Sequence, residues 1–220
     1  MFIRMLLLTI FSFSLYSAPK KIIAAAYESK TYKRPTIVLD AGHGGIDRGA
    51  KIKYPYLEEK RLTLSLTLLA KRQLEQMGYK VILTRAKDYF VPLKKRVSYA
   101  NNLNAEMFIS IHFNSCPNKQ AHGVEVYYYN SQENKKRAKS SKNLAQSTLT
   151  TICKKTNAKS RGVKNGRFVV IKETKMPAVL IEVGFLTNPQ ERDNIRKKVY
   201  LEKVSKGISE GVDNFIKKYV

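Results

Sequence analysis

The sequence contains 220 residues, of which 43% are hydrophobic and 26% are charged, ordinary values for one globular domain with its own core. No internal repeat, low-complexity tract or composition shift marks off a second domain. Lysine and arginine number 41 against 17 acidic residues, so the formal net charge is +24. Such an excess predicts a polyanionic partner, and nucleic acid, anionic lipid and acidic cell-wall polymers all qualify.

The N-terminus has the pattern of an export signal. A short positive segment, residues 1–4, precedes an apolar run at residues 5–15. This run is too short for a transmembrane helix, which needs roughly 20 apolar residues, but it fits the apolar region of a signal peptide. Small residues follow, and both Ala18 and the alanines at 24–26 offer cleavage sites.

We therefore predict a signal peptide at residues 1–26, a linker at 27–35 and one folded domain at 36–220. Export to the periplasm or cell envelope argues against nucleic acid as the partner. We expect no stable transmembrane anchor, because the apolar run is too short to span a bilayer; a strand or an uncleaved anchor is the alternative interpretation of that run. The mature protein would keep most of the positive charge.

The periodicity of apolar residues predicts an α/β fold. Apolar runs bounded by turn residues predict six strands, at residues 36–39, 79–84, 107–112, 123–129, 168–171 and 178–183. Helical spacing of apolar residues predicts four helices. The first extends from Glu58 to Met77 and ends before Gly78, the second begins at Pro92, the third follows residue 142, and the fourth forms the C-terminal tail. The polar residues 131–142 are predicted to be a solvated lead into the third helix. Alternating strands and helices indicate a single domain with a mostly parallel, six-stranded twisted sheet and helices on both faces.

Three polar residues occur at the ends of predicted strands: His43 after the first, His112 ending the third and Glu182 in the last. Functional groups of such sheets gather at strand ends. Two histidines and a carboxylate are a common hydrolytic zinc set, with water in the fourth position. Glu58 or Glu59 can supply the carboxylate, and the glycines beside His43 would let the loop approach an ion. Structural, hydrogen-bonded histidines are the alternative interpretation.

Four segments occur in a fixed order: Leu39-Asp-Ala-Gly-His-Gly-Gly-Ile-Asp-Arg-Gly-Ala50, Glu58-Glu-Lys60, Ile109-Ser-Ile-His-Phe-Asn114 and Leu180-Ile-Glu-Val-Gly-Phe-Leu-Thr-Asn188. Together they resemble the zinc-dependent N-acetylmuramoyl-L-alanine amidase family, typified by bacterial cell-separation amidases. The resemblance extends from about Thr36 to the end of the chain, so residues 36–220 are expected to be a catalytic zinc amidase domain. Arg48 departs from the small residue or proline that many relatives carry there.

The resemblance implies that His43, Glu59 and His112 bind Zn²⁺, with Glu59 preferred to Glu58 because it directly precedes a lysine. It implies that Glu182 is the catalytic acid and base. It also implies a substrate, the amide bond between the lactyl group of N-acetylmuramic acid and L-alanine of the peptidoglycan stem peptide. We expect a monomer that binds glycan strands and stem peptides, with anionic envelope polymers as further candidate partners.

The sequence is also compatible with two other functions. A non-enzymatic, basic envelope protein that binds polyanions would explain the charge, but not the histidines and glutamates. A weak penicillin-sensitive serine peptidase activity is suggested by Ser141-Lys-Asn143 and Lys155-Thr-Asn157. Its nucleophile pattern occurs only as Ser17-Ala-Pro-Lys20, inside the predicted signal peptide.

In some members of the family that this chain resembles, an inserted helix folds over the zinc and blocks it. The corresponding residues 130–143 are too few and too polar for this, because a lid made from them would bury almost no apolar area. Deletion of residues 132–140 is therefore expected to leave activity unchanged.

Arg85 and Asn114 could contact substrate or could stabilise turns and strand ends.

His122 matches no ligand motif, and we expect it to be structural or exposed. Cys116 and Cys153 could form a disulfide in an oxidising compartment or stay as free, half-buried thiols.

Overall fold

The computed structural model describes residues 35–220. The strands are β1 (Thr36–Ala41), β2 (Lys51–Ile52), β3 (Leu57–Glu58), β4 (Lys80–Leu83), β5 (Met107–Asn114), β6 (Val124–Tyr128), β7 (Ser160–Asn165) and β8 (Ala178–Phe185). The helices are α1 (Glu59–Gln76), α2 (Leu93–Asn102), α3 (Lys135–Thr156), α4 (Val169–Lys172), α5 (Pro189–Ile195) and α6 (Lys198–Tyr219).

Six strands form one sheet in the order β4-β1-β5-β8-β6-β7. Neighbouring strands are parallel except β6 and β8, which are antiparallel. β2 and β3 form a separate antiparallel hairpin just before α1. The prediction of a mostly parallel, six-stranded α/β sheet is therefore confirmed.

Helices cover both faces of this sheet, as predicted. On one face α1, α3 and α6 pack against Ile37 and Leu39 of β1. On the other face α2 and the short α4 pack against Val38. Successive strand residues point to opposite faces, which is why neighbours on β1 belong to different cores. The face with the short helices carries the polar residues described below.

The first two predicted helices are confirmed. Leu66 of α1 is fully buried, and Leu62 and Leu69 pack beside it on the same face. α1 ends before Gly78, whose φ of +84° is the left-handed conformation that terminates helices. α2 follows Pro92, which occupies its N-cap position.

One predicted strand is wrong. Residues 169–171 belong to the helical segment α4, with Phe168 as its N-cap, and Val170 and Ile171 are buried against the sheet. A short apolar run fits a buried strand and a buried helical turn equally well, and burial does not separate them. The sixth strand of the sheet is instead β7, an edge strand whose sequence, SRGVKN, gives little apolar signal.

Most of residues 131–142 are exposed, as predicted, but the prediction that they precede the next helix is wrong. α3 begins at Lys135, and the Asn134 side chain accepts a hydrogen bond from the Arg137 backbone N–H as its cap. Arg137 is buried and donates to the carbonyl oxygens of Met176, at 2.9 Å, and of Ile171. The first turns of α3 therefore hold α4 and the start of β8.

The predicted signal peptide and nearly all of the predicted linker lie outside the described residues. Between residues 35 and 220, no helix is long and apolar enough to cross a bilayer. Cys116 and Cys153 are both free and half-buried, which is the second of the two alternatives the sequence left.

Candidate metal centre

β1 runs directly into the turn Gly42-His43-Gly44-Gly45. His43 has a φ of +61°, and a short bridge closes the turn, with Gly44 N donating to Asp47 O at 2.8 Å. At Gly42, a Cβ atom would lie 2.2 Å from Cε1 of His112. Glycine at this position therefore allows the His112 ring to lie against the turn that carries His43.

The carboxylate of Glu59 lies between the two histidines. Its Oε1 is 3.0 Å from Nε2 of His43 and 3.1 Å from Nδ1 of His112. Backbone N–H groups fix it: Phe113 donates to Oε1 at 3.1 Å and Ala50 to Oε2 at 2.9 Å. The start of α1, the end of β5 and the turn after β1 thus bring three donor groups to one point.

These three groups fit a zinc ion. Their candidate ligand atoms all lie within 4.8 Å of one another. Two atoms bound to one zinc at about 2.0–2.1 Å in tetrahedral geometry lie roughly 3.3 Å apart, close to the spacing between Glu59 and each histidine. Glu58 points elsewhere, accepting from Tyr56 Oη at 2.6 Å and Arg61 Nε at 3.1 Å.

The electrostatics also suit a cation. Burial disfavours the charged form of Glu59, but hydrogen bonds and charge from His112 and His43 outweigh it and lower the Glu59 pKa. His43 Nδ1 lies 2.9 Å from Oδ2 of Asp47. A carboxylate on the second ring nitrogen is the usual way of fixing a ligating histidine. The sequence offered no independent signal for this role of Asp47.

Glu182 lies beside this cluster. It is the direct register partner of His112 on the adjacent strand β8. Its side chain is half-buried, and among the described residues its Oε2 is a buried oxygen with no hydrogen-bond partner. Burial raises the Glu182 pKa well above its ordinary value, and the charges of Glu59 and Glu125 raise it further. A carboxylate with a raised pKa accepts a proton more readily than an ordinary glutamate does.

Two buried arginines donate hydrogen bonds to backbone carbonyl groups of the turn that carries His43. Arg96 pairs with Asp40 at 2.7 Å and donates to the carbonyl oxygens of Ala41 and His43. Arg85 is completely buried and donates to the carbonyls of Ala41 and Gly42. Arg85 is therefore structural, which decides between the two roles that the sequence left open.

A second contact fixes the far side of the turn. Lys60 donates to the Gly45 carbonyl at 2.9 Å and to Oδ2 of Asp88 at 2.7 Å, and Asp88 accepts from Gly45 N. These partners are 15 to 43 residues from the turn in sequence. Local patterns carry no signal for such contacts.

A cleft of about 420 Å³ opens beside His43 and His112. Gly42, Asp40 and Leu180 line it. Its apolar lining comes mainly from the segment leading into α2 and from the start of α4: Phe90, Val91, Leu93, Phe168, Val169 and Val170.

Other singled-out residues lie away from this centre or support it indirectly. His122 is exposed, as expected, and its ring nitrogen lies 2.8 Å from the Gln120 carbonyl. Arg48 lies 3.4 Å from Glu58, and nothing in the structure gives it a role at the cluster. Asn114 donates to the buried carboxylate of Glu125 at 3.3 Å.

The two serine-peptidase elements within residues 35–220 do not come together, and the nucleophile pattern Ser17-Ala-Pro-Lys20 lies outside the described residues. Ser141 is buried, and its Oγ accepts from Ala178 N at 3.0 Å. Lys155 pairs with Glu210 at 2.7 Å. Both residues lie on α3, fourteen positions apart, which is roughly 21 Å along a helix axis.

Comparison with known proteins decides the family. The family model for N-acetylmuramoyl-L-alanine amidase matches residues 37–214. The chain belongs to this family. The amidase match covers every side chain of the cluster and, apart from Thr36 at the start of β1, the whole of the six-stranded sheet.

Solved amidase structures share the fold. N-acetylmuramoyl-L-alanine amidase from Clostridium difficile 630 superposes with a TM-score of 0.79 at 35% identity, covering 85% of this chain and 99% of that one. The catalytic domain of CwlV from Bacillus (Paenibacillus) polymyxa var. colistinus gives a TM-score of 0.77 at 36% identity, covering 83% and 98%.

Curated relatives are similar to the same region. N-acetylmuramoyl-L-alanine amidase LytC of Bacillus subtilis (strain 168) is 33% identical over 180 residues, 82% of this chain but 35% of LytC. The probable cell wall amidase LytH of Staphylococcus saprophyticus is 34% identical over 185 residues, 84% of this chain and 59% of LytH. The chain thus spans about a third of LytC and less than two thirds of LytH.

Proposed function

We propose that this amidase-family chain hydrolyses the bond between the lactyl group of N-acetylmuramic acid and L-alanine of peptidoglycan, with zinc held by His43, Glu59 and His112. The observation that carries the proposal is the convergence of these three donors beside Glu182 at one end of the sheet. The similarity to amidases supports the choice of bond.

Two imidazoles and one carboxylate form a donor set that suits zinc and leaves a position for water. Zinc in this position would lower the pKa of water and polarise the substrate carbonyl. His43, Glu59 and His112 would hold the zinc. Asp47 keeps the His43 ring in one orientation through its contact with Nδ1.

Glu182 moves the proton in this proposal. Its raised pKa and half-buried position support a carboxyl that accepts a proton from the attacking water. The same group then donates this proton to the nitrogen of the departing alanine. A carboxyl with a raised pKa is a stronger proton acceptor than an ordinary glutamate, and its protonated form can return the proton to the leaving nitrogen. The apolar walls of the cleft, including Phe90 and Phe168, help exclude bulk water from these steps.

The substrate lies outside the cytoplasm, and the pattern of residues 1–26 supports export to the periplasm or envelope. The net charge of +24 supports additional binding to anionic wall polymers. Such binding would be sensitive to salt, since exposed charges are screened beyond about 8 Å at physiological ionic strength. Polyanion binding alone would leave the clustered donors and Glu182 without a purpose.

Digestion of purified peptidoglycan tests the proposal. The zinc-loaded chain should release stem peptides with a free N-terminal alanine, identified by mass, and leave intact glycan strands. A chelator should stop the release, and added zinc should restore it. Glycan fragments without free alanine peptides, or no release by zinc-loaded protein, would contradict the proposed function.

A further inference from the structure

A charged cluster lies next to Glu182 on the side away from His112. Glu125 of β6 is the register partner of Glu182, and its side chain is only 3% exposed. Its Oε1 contacts Arg161 Nε and Lys164 Nζ, the latter at 2.7 Å. Its Oε2 accepts from Tyr127 Oη at 2.6 Å. His112, Glu182 and Glu125 are thus successive register partners in one row across the sheet, and the row ends at the two cations.

A bulge in the edge strand brings both cations to this row. β6 and β7 pair as Val124 with Ser160 and then Val126 with Val163, so two β7 residues lie opposite the single residue Glu125. In a regular strand, side chains three positions apart point to opposite faces. The extra residue changes this, because Arg161 and Lys164 both contact the same carboxylate oxygen. Bulges often re-aim side chains next to functional sites.

The cluster keeps an excess positive charge that reaches solvent. Burial disfavours ionisation of Glu125, but hydrogen bonds from Lys164, Tyr127 and Arg161 outweigh it and lower its pKa. One carboxylate therefore faces two cations. The side chains of Arg161 and Lys164 are 31% and 37% exposed, so each has donors available to a ligand.

The proposed substrate has one neutral and one anionic part. N-acetylated glycan carries no charge, whereas the stem peptide carries carboxylates, including that of the glutamate that follows alanine. This glutamate lies within roughly 7 Å of the scissile nitrogen, because a residue spans at most about 3.6 Å. Neighbouring strands are about 4.8 Å apart, which puts β6 and β7 roughly 5–10 Å from Glu182. The two distances agree.

We propose that Arg161 and Lys164 bind a stem-peptide carboxylate, with Glu125 as the positioning residue that holds both cations beside the catalytic centre. This inference rests on the proposed function, since it assigns the peptide part of that substrate to the β6–β7 side of the site. The pair therefore selects substrates in which the glutamate carboxyl is free. An amidated glutamate at the same position presents a neutral group and loses the charge-assisted contact.

Two muropeptides that differ only in the glutamate carboxyl, which is free in one and amidated in the other, test the proposed carboxylate site. Arg161→Gln and Lys164→Gln should each lower kcat/KM for the free-acid substrate about tenfold, mainly through KM, and change the amidated one little. Lys164→Arg should retain the preference for the free acid. Lys154→Gln is the matched control, because Lys154 is exposed on α3 on the other face of the sheet.

Equal losses on both substrates, or unchanged preference in both glutamine variants, would overturn the inference. Calorimetric binding of the isolated stem peptides, free and amidated, to the unaltered full chain gives a readout that needs no turnover. If the chain failed to hydrolyse either muropeptide but bound only the free-acid peptide through Lys164 and Arg161, the proposed reaction would fail and the carboxylate site would stand.

Discussion

Glu182 and His112 are direct register partners on the parallel strands β8 and β5. Their side chains leave the same face of the sheet at adjacent positions. His112 continues towards Glu59 and His43, whereas the Oε2 of Glu182 meets no hydrogen-bond partner within residues 35–220. This arrangement separates the proposed ligand position from the proposed proton-transfer position by one strand spacing.

The first prediction concerns Asp47, which contacts Nδ1 of His43. Asp47→Asn should weaken zinc binding about 10- to 100-fold, because the histidine loses the carboxylate that fixes its orientation. Competition with a chromogenic chelator measures the change. Asp193→Asn, an exposed substitution on α5, is the control and should leave affinity unaltered. Equal zinc affinity of the two variants would remove Asp47 from the metal centre.

The second prediction concerns Gly42. Gly42→Ala places a Cβ atom 2.2 Å from the His112 ring, so the ring must move from its position beside Glu59. We expect loss of most bound zinc and of activity, with the fold retained because the sheet itself is untouched. Metal analysis and circular dichroism check both parts. Full zinc content in the folded alanine variant would contradict the described packing.

Much of the fold could be predicted because strands β1, β5 and β8 are strongly apolar and α1 has a clear helical period. β7 could not, because an exposed edge strand needs few apolar residues. The start of α3 could not be predicted either. Most of its side chains are polar, and the buried Arg137 among them has partners 34 to 39 residues away.

The candidate site also has a part that could be predicted from the sequence and a part that could not. Its central residues occur in local motifs, and the structure brings His43, Glu59 and His112 together with Glu182 beside them. Their assigned roles stay predictions. The supporting contacts of Arg96, Lys60 and Asp88 join distant parts of the chain, so only the three-dimensional structure reveals them.

The third prediction concerns the buried pair of Asp40 and Arg96. Burial disfavours the Asp40 carboxylate, but the charge of Arg96 and hydrogen bonds from Thr84, Ser110 and Arg96 lower its pKa. Asp40→Asn should cost about 3–5 kcal/mol of unfolding free energy near neutral pH, because Arg96 is left as an unpaired buried charge.

The pH dependence follows from the lowered pKa of Asp40. Its ionisation stabilises the fold fully above the unfolded value of about 3.9 and loses this effect as pH falls through the lower folded value. The difference in stability between the unaltered chain and Asp40→Asn should therefore hold at mildly acidic pH and shrink in strong acid. Urea unfolding at several pH values measures it, and a constant difference would contradict the assignment.

The fourth prediction concerns the start of α3. Deletion of residues 132–140 removes Arg137 and the cap Asn134, so we now expect an unstable protein and not an unchanged one. Arg137→Met should cost about 1–3 kcal/mol for each backbone carbonyl left unpaired in the core. Lys136→Met is the control, since Lys136 is exposed next to it. Equal thermal stability of the two variants would show that Arg137 does not hold α4.

The most direct test of the account compares Glu182→Gln with Glu59→Gln, measuring bound zinc and turnover of one muropeptide on the same preparations. Glu182→Gln should keep its zinc while turnover falls about 10²- to 10⁴-fold, because only the proton transfer is removed. Glu59→Gln should lose zinc affinity, and added zinc should restore part of its activity. Zinc loss in Glu182→Gln together with full zinc retention in Glu59→Gln would contradict the separation of ligand and acid–base roles.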